Sequence, residues 1–312
     1  MFCSTIIPTI GRTSLSRAVC SVLDQEFSHD DFEVIVVNDS GRALPYMDWQ
    51  NSPRVQVIDT NQHERSVARN TGAAIARGIY LHFLDDDDWM APNALQTLWE
   101  LSQTSKAAWL YGSSQLVDRE HNSIIQLHHL FSGNCFTQVM AGEWIPLQAS
   151  LIEAKSFFEA GGFNPHISGP EDIDLLRRIA LRSDISEIPA IVAYIVRSKQ
   201  DTTTDYDSHP EKSRWAREQI LDERGVFSRM LASANSDYWL GKMLRIYTTS
   251  AIWNLQRKQL AFAASRLASG LAVIVLSHFR IFSVNFWNGF LKPYQSPTFA
   301  RGFRLSSRKF TK

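Results

Sequence analysis

The stretch SVARNTGAAIARGIYLHFLDDDDW, residues 66–89, sets the architecture. Residues 66–77 are Ala-rich with helical spacing and close at Gly78, and residues 79–84 form a short apolar run that stops at Asp85, Asp86, Asp87 and Asp88. A helix feeding a short buried strand is half of a βαβ unit. The alternation continues upstream. Residues 2–10 read as a strand ended by Gly11, residues 14–24 carry Leu15, Val19, Val22 and Leu23 at helical spacing, and residues 32–37 and 55–58 read as strands. The order implies an α/β class with a mainly parallel sheet covered by helices. Ligands of such sheets bind beyond the carboxyl ends of the strands. The residues at those ends are Pro8 and Thr9, Asn38, Asp39 and Ser40, and the four aspartates.

Downstream, residues 92–101 read as a helix, 107–117 and 124–127 as a hairpin, and 149–152 as a strand before a helix at 155–160. Gly161 and Gly162 break the chain, and Pro170-Glu171-Asp172 opens an acidic-headed helix. Residues 188–196 read as the last strand, 198–212 as a polar loop or linker, and 239–245 and 248–267 as helices.

Four aspartates at a strand end repel one another unless a cation or solvent offsets them. One reading is a site for Mg²⁺ or Mn²⁺ built from hard oxygen ligands and shared with substrate phosphates; the other is a solvated acidic turn. Trp89 and Trp144 fit either sugar stacking or the core. His128-His129 and His209 lack a spacing partner that would mark them as metal ligands, and Gly161-Gly162 lacks the strand–GxGxxG–helix setting of a dinucleotide site.

The segments IIPTIGR, VIVVNDSGR, SVARNTGAAIARGIYLHFLDDDDW and EAGGFNPHISGPEDIDLLRR, in that order, resemble the inverting family 2 glycosyltransferases over about residues 2–200. The resemblance implies the GT-A fold, a Rossmann-like mainly parallel sheet with helices on both faces. It divides the chain into a nucleotide-sugar-binding and catalytic domain at 1–205 and a helical C-terminal extension at 206–312. It further implies a nucleoside-diphosphate sugar donor, UDP-linked by expectation, and a glycan or lipid-linked glycan acceptor in cell-surface polysaccharide synthesis. Pro8, Thr9, Asp39, Arg69 and Asp86 match donor-nucleotide positions. Asp87 matches the metal-binding aspartate of the DxD motif with Asp85 or Asp86 as its partner, and Asp85 is taken as the second metal ligand. Asp172 matches the catalytic base, with Glu171 as the fallback. Where family members carry a first aspartate after the second strand, this chain has Asn38. Two rival readings exist: a sugar nucleotidyltransferase, for which PTIGRTSLSR is too poor in glycine, and a nucleotide-sugar-binding scaffold without transfer activity.

A hydrophobic content of 44% in 312 residues excludes disorder. The formal net charge of zero hides an asymmetry. Of the 32 Lys/Arg, 12 lie beyond Asp237, the last of the 32 acidic residues, so residues 1–237 carry −12 and residues 238–312 carry +12. Aromatic residues are interleaved with that positive charge, which suits a peripheral segment on anionic lipid or a helical subdomain docked on the acidic half; nucleic acid is disfavoured because no recognition motif accompanies the charge. Residues 267–279 form a 13-residue uncharged run bounded by Arg280. It is about 20 Å long as a helix, short of the roughly 30 Å hydrocarbon core. Three cysteines without a CxxC pair, and an N-terminus without a basic region or cleavage site, lead to the expectation of a cytoplasmic protein lacking a signal peptide.

Overall fold

The computed structural model describes residues 1–27, 31–128, 131–167, 169–197 and 209–291, with the side chains of 209–213 excepted. In chain order the first half contains β1 (Cys3–Thr9), α1 (Leu15–Leu23), β2 (Phe32–Asn38), β3 (Val55–Asp59), α2 (Arg65–Ile75), β4 (Tyr80–Phe83), β5 (Trp89–Met90) and α3 (Ala94–Thr104). There follow β6 (Trp109–Val117), β7 (Ser123–Leu127), α4 (Phe136–Ala141), β8 (Ser150–Glu153), α5 (Ala154–Glu159), α6 (Glu171–Ala180) and β9 (Ile185–Val196). The C-terminal helices are α7 (His209–Leu221), α8 (Val226–Ala232), α9 (Ser236–Gln256), α10 (Leu260–Ser277) and α11 (Val284–Leu291).

One sheet runs β3-β2-β1-β4-β8-β6-β9-β5, with β7 paired to β6. Its first four strands are parallel, and β8 then enters antiparallel between β4 and β6. The period-2 pattern of buried strands explains the two faces. Ile6, Ile35 and Val37 face one core with Phe83, Leu175 and Phe136, while Ile7, Val34 and Val36 face the other with Leu15, Val19 and Leu95. Helix α2 lies so close to the sheet that a Cβ on Gly72 would sit 2.5 Å from Ile6 Cγ2, so this position requires glycine. The parallel register sets Thr9 opposite Asn38, and Leu84 N donates to Ile6 O, bringing the three loop entrances to one edge.

The expected elements recur, with three differences. Strand β9 starts at Ile185, before the expected 188, because a register shift opposite Gly112 and Ser113 absorbs Pro189. The expected helices at 239–245 and 248–267 are cut differently: α9 runs unbroken to Gln256, and the chain turns at Lys258 (φ 60°) before α10. The polar loop expected over 198–212 gives way to helix at its end, since α7 already begins at His209, a residue described only in its backbone; 198–208 and His129 lie outside the described residues.

The C-terminal helices share buried core with the sheet. Trp239, Leu240 and Met243 of α9 belong to the same buried cluster as Ile6, Phe83 and Leu175. Helix α11 packs against α9 by mutual close approach at Gly241 and Gly289, where added Cβ atoms would lie 2.0 Å from Phe286 O and 2.2 Å from Tyr238 O.

Candidate functional site

The aspartates after β4 split into two sets. Asp85, Asp87 and Asp88 each present a carboxylate oxygen within 4.8 Å of the others. Asp86 turns the other way, toward the end of β1: Thr9 Oγ1 donates to its Oδ2 at 2.5 Å and Arg12 Nη1 to its Oδ1 at 2.6 Å. The structure therefore brings together Asp85 and Asp87, the expected metal pair, and adds Asp88, which the sequence reading left out. Asp88 Oδ1 accepts from Val196 N at 2.7 Å at the end of β9. Thr9 and Asp86, both expected at the nucleotide, are buried against each other. Pro8, one residue earlier on β1, is half-buried.

The electrostatics of the three carboxylates are uneven. Burial raises Asp85, but the Arg69 guanidinium overrides this and holds it below its ordinary value. Arg69 Nη2 donates to Asp85 Oδ1 at 2.6 Å, and Gln148 Nε2 donates to Asp85 Oδ2 at 2.8 Å. Burial, reinforced by the Asp85 charge, pushes Asp87 up to about 6 and Asp88 well above its ordinary value. Asp85 is thus held ionised, Asp87 is raised to just below neutral pH, and Asp88 keeps its proton most tightly of the three. Three hard oxygen donors in this state fit a small divalent cation, whose binding would release protons.

Behind Asp85, Gln148 is fixed by buried His82, which burial pushes down to about 4. The neutral ring donates from Nε2 to Gln148 O (3.0 Å) and accepts at Nδ1 from Thr5 Oγ1 (3.2 Å).

The second acidic centre lies at the head of α6. Glu171, buried, accepts from Arg69 Nη1 at 3.0 Å, from Arg65 Nη1 at 3.4 Å and from Gly169 N at 3.0 Å. Among the described residues no guanidinium hydrogen-bonds to Asp172. Its Oδ2 accepts from Trp144 Nε1 at 2.9 Å and its Oδ1 from Ile173 N at 2.7 Å. Burial and the neighbouring Glu171 charge raise its carboxyl to about 6. Glu171 is consumed by ion pairing, whereas Asp172 is poised near neutral pH. Trp144, which the sequence left between sugar stacking and core, orients Asp172. Trp89 stacks on Tyr194 at 5.2 Å with the Arg17 guanidinium 4.1 Å from its ring centroid, and Arg17 Nη2 donates to Asp87 O.

Arg69 joins the two centres. Its side chain is 4% exposed, and its Nη atoms serve Asp85 and Glu171, so its influence on a bound donor runs through those carboxylates. Asp39 is also heavily engaged. It accepts from Thr60 Oγ1 and from the backbone N–H groups of Gln62, His63 and Glu64 at 2.6–2.9 Å, which shapes the loop entering α2. The departure at Asn38 has a local reason: Asn38 Nδ2 donates to Asp59 Oδ1 at 2.6 Å, where an aspartate would set two carboxylates together.

The family described as Glycosyl transferase family 2 matches residues 4–162. Among curated relatives, the poly(ribitol-phosphate) beta-N-acetylglucosaminyltransferase TarP of Staphylococcus aureus is 30% identical over 115 residues, 35% of either chain. Chondroitin synthase of Escherichia coli is 28% identical over 171 residues, 53% of this chain and 24% of that one. An uncharacterized glycosyltransferase of Rickettsia bellii is 27% identical over 209 residues, 64% of this chain and 29% of that one. The matches thus span 24–35% of the length of these relatives. Among solved structures, S. aureus TarS 1–349 in complex with UDP-GlcNAc superposes with a TM-score of 0.66 at 15% identity, covering 93% of this chain and 89% of that one. That likeness establishes a shared fold, in keeping with the GT-A expectation. With the family matched across more than half of the chain and acidic centres at the expected sheet edge, this chain belongs to glycosyl transferase family 2.

Proposed function

We propose that the chain is a metal-dependent inverting glycosyltransferase that moves a sugar from a UDP-linked donor to a hydroxyl of a glycan or lipid-linked glycan in cell-surface polysaccharide synthesis. The observation that carries this reading is the pair of carboxylate centres at one sheet edge, Asp85–Asp87–Asp88 on one side and Asp172 on the other, linked through Arg69 and Glu171. The relatives named for polysaccharide synthesis and the neighbour with bound UDP-GlcNAc support the donor and acceptor classes.

Inversion is a single displacement. The acceptor hydroxyl attacks the anomeric carbon as the C–O bond to the diphosphate breaks, and its proton must leave as the new bond forms. Asp172, raised to about 6, is mostly ionised at neutral pH yet more basic than an ordinary carboxylate, which suits a general base. Trp144 on Oδ2 and Ile173 N on Oδ1 fix the orientation of the carboxylate, which keeps free acceptor positions for a proton. Asp85, Asp87 and Asp88 would hold Mn²⁺ or Mg²⁺, whose charge stabilises the departing diphosphate. Arg12, 2.6 Å from Asp86 and 3.4 Å from Asp87, restrains the loop on the donor side.

Substituting Asp87→Ala is expected to remove the enhancement of UDP affinity by Mn²⁺, measured by calorimetry with and without the metal. An enhancement equal to the wild type's would exclude Asp87 as a ligand.

A further inference from the structure

We infer that the outer face of α10 and the turn that follows it form a monotopic membrane-docking surface for anionic lipid, an inference independent of the sugar-transfer reading. Helix α10 is apolar nearly all round. Only Ala263, Gly270, Val273 and Ser277 of α10 are buried, a narrow stripe against α9. A helix with this composition is normally enclosed in a core or in lipid. Here Leu267, Leu271, Val275, Phe279 and Phe282 face outward, the two phenylalanines 87% and 81% exposed. The most apolar 18-residue window of Leu260–Phe282 has a mean hydropathy of 1.8, and 22% of it is buried. By length and composition it is sufficient to cross a membrane, which the 13-residue run counted from the sequence is not.

Two features separate docking from spanning. Helix α10 folds back along α9, whose Trp239, Leu240 and Met243 lie in the core shared with the sheet. The far end of α10 is also pinned, since Arg280 Nη1 donates to Leu231 O at 3.1 Å and Ser236 Oγ at 2.9 Å, and Arg280 Nε lies 3.6 Å from Asp237. The segment therefore lies along the protein surface.

Charge decides between lipid and a second copy. No Asp or Glu occurs after Asp237, whereas 12 Lys/Arg do, six of them at 292–312, outside the described residues; of the other six, Lys242 is buried and Arg257, Lys258 and Arg266 lie at or in α10. Two copies meeting through this region would oppose positive charge with positive charge; an anionic bilayer complements it, each basic residue near the surface adding to the attraction. The exposed leucine and phenylalanine side chains then enter the interfacial layer while the basic groups remain among headgroups.

The test is flotation of the purified full chain with vesicles of phosphatidylcholine and phosphatidylglycerol, compared with phosphatidylcholine alone. Co-flotation with the anionic vesicles, weakened by salt, is expected. The double variant Phe279→Glu, Phe282→Glu alters only exposed side chains and should lower partitioning by about 10-fold or more per position, with an unchanged circular dichroism spectrum. Absence of flotation, or equal flotation of the variant, overturns the inference. So does resistance of the bound chain to alkaline carbonate, which indicates a span, or a dimer in solution that the variant dissociates.

Discussion

Replacing Asp172 by asparagine is expected to lower sugar transfer by about 10²–10⁴-fold, the range supplied by a positioned general base. UDP affinity in the presence of Mn²⁺ should stay within about twofold of the wild type. The asparagine keeps an acceptor for Trp144 Nε1, gives up the bond from Ile173 N, and removes the like charge against Glu171 without changing the side chain's size. The same residue sets the acidic limb of the pH profile. Because burial and Glu171 raise Asp172 to about 6, transfer at saturating Mn²⁺ should fall as pH drops through 6. The stability consequence has the opposite sense. The folded state holds the Asp172 proton more tightly than the unfolded chain, so this residue favours folding at low pH and loses that contribution as pH rises from the ordinary carboxylate value through 6. At pH 7 the asparagine variant should therefore melt within a few degrees of wild type while its turnover collapses. A matching loss of stability and UDP binding would assign Asp172 a structural role.

Arg69→Met should be the most disruptive substitution at the site. A guanidinium that is 4% exposed serves Asp85 at 2.6 Å and Glu171 at 3.0 Å, and burial alone would otherwise raise Asp85. Removing the cation strands two carboxylates, and breaking a buried pair in this way costs about 3–5 kcal/mol. Thermal unfolding should shift down by roughly 10 °C. Mn²⁺ affinity should fall with it, because Asp85 then ionises less readily and a ligand must lose its proton to bind metal. Arg65→Met is the contrasting control. Arg65 is 36% exposed and 3.4 Å from Glu171, so its loss should cost at most about 1 kcal/mol. Equal melting shifts for the two variants would remove the special role assigned to Arg69.

The parallel half of the sheet was legible because its strands are short apolar runs with turn residues at both ends, and Thr9, Asp39 and the aspartates mark their carboxyl edges. Pairings between distant residues carry no local signal. Trp144 and Asp172 are 28 positions apart, Thr9 and Asp86 are 77 apart, and neither contact has a periodicity to betray it. Asp88 escaped because a DxD spacing selects alternate residues, whereas the loop after β4 turns so that Asp85, Asp87 and Asp88 converge and Asp86 points away. The break between α9 and α10 was missed because no glycine or proline marks it; Lys258 itself takes the left-handed conformation. The charge pattern of the basic C-terminal region fits both docking on the catalytic half and lying on lipid. The structure shows α9 and α11 docked and the outer face of α10 open to solvent.

The most direct test of the proposed chemistry is to incubate the chain with UDP-sugars, UDP-GlcNAc among them, and follow by proton NMR the anomer first released when water replaces the acceptor. An inverting, metal-dependent centre predicts UDP release only with Mn²⁺ or Mg²⁺, a β-anomer from an α-linked donor, and neither product with the Asp172→Asn chain. An α-anomer, or release at the same rate in excess chelator, would contradict the account.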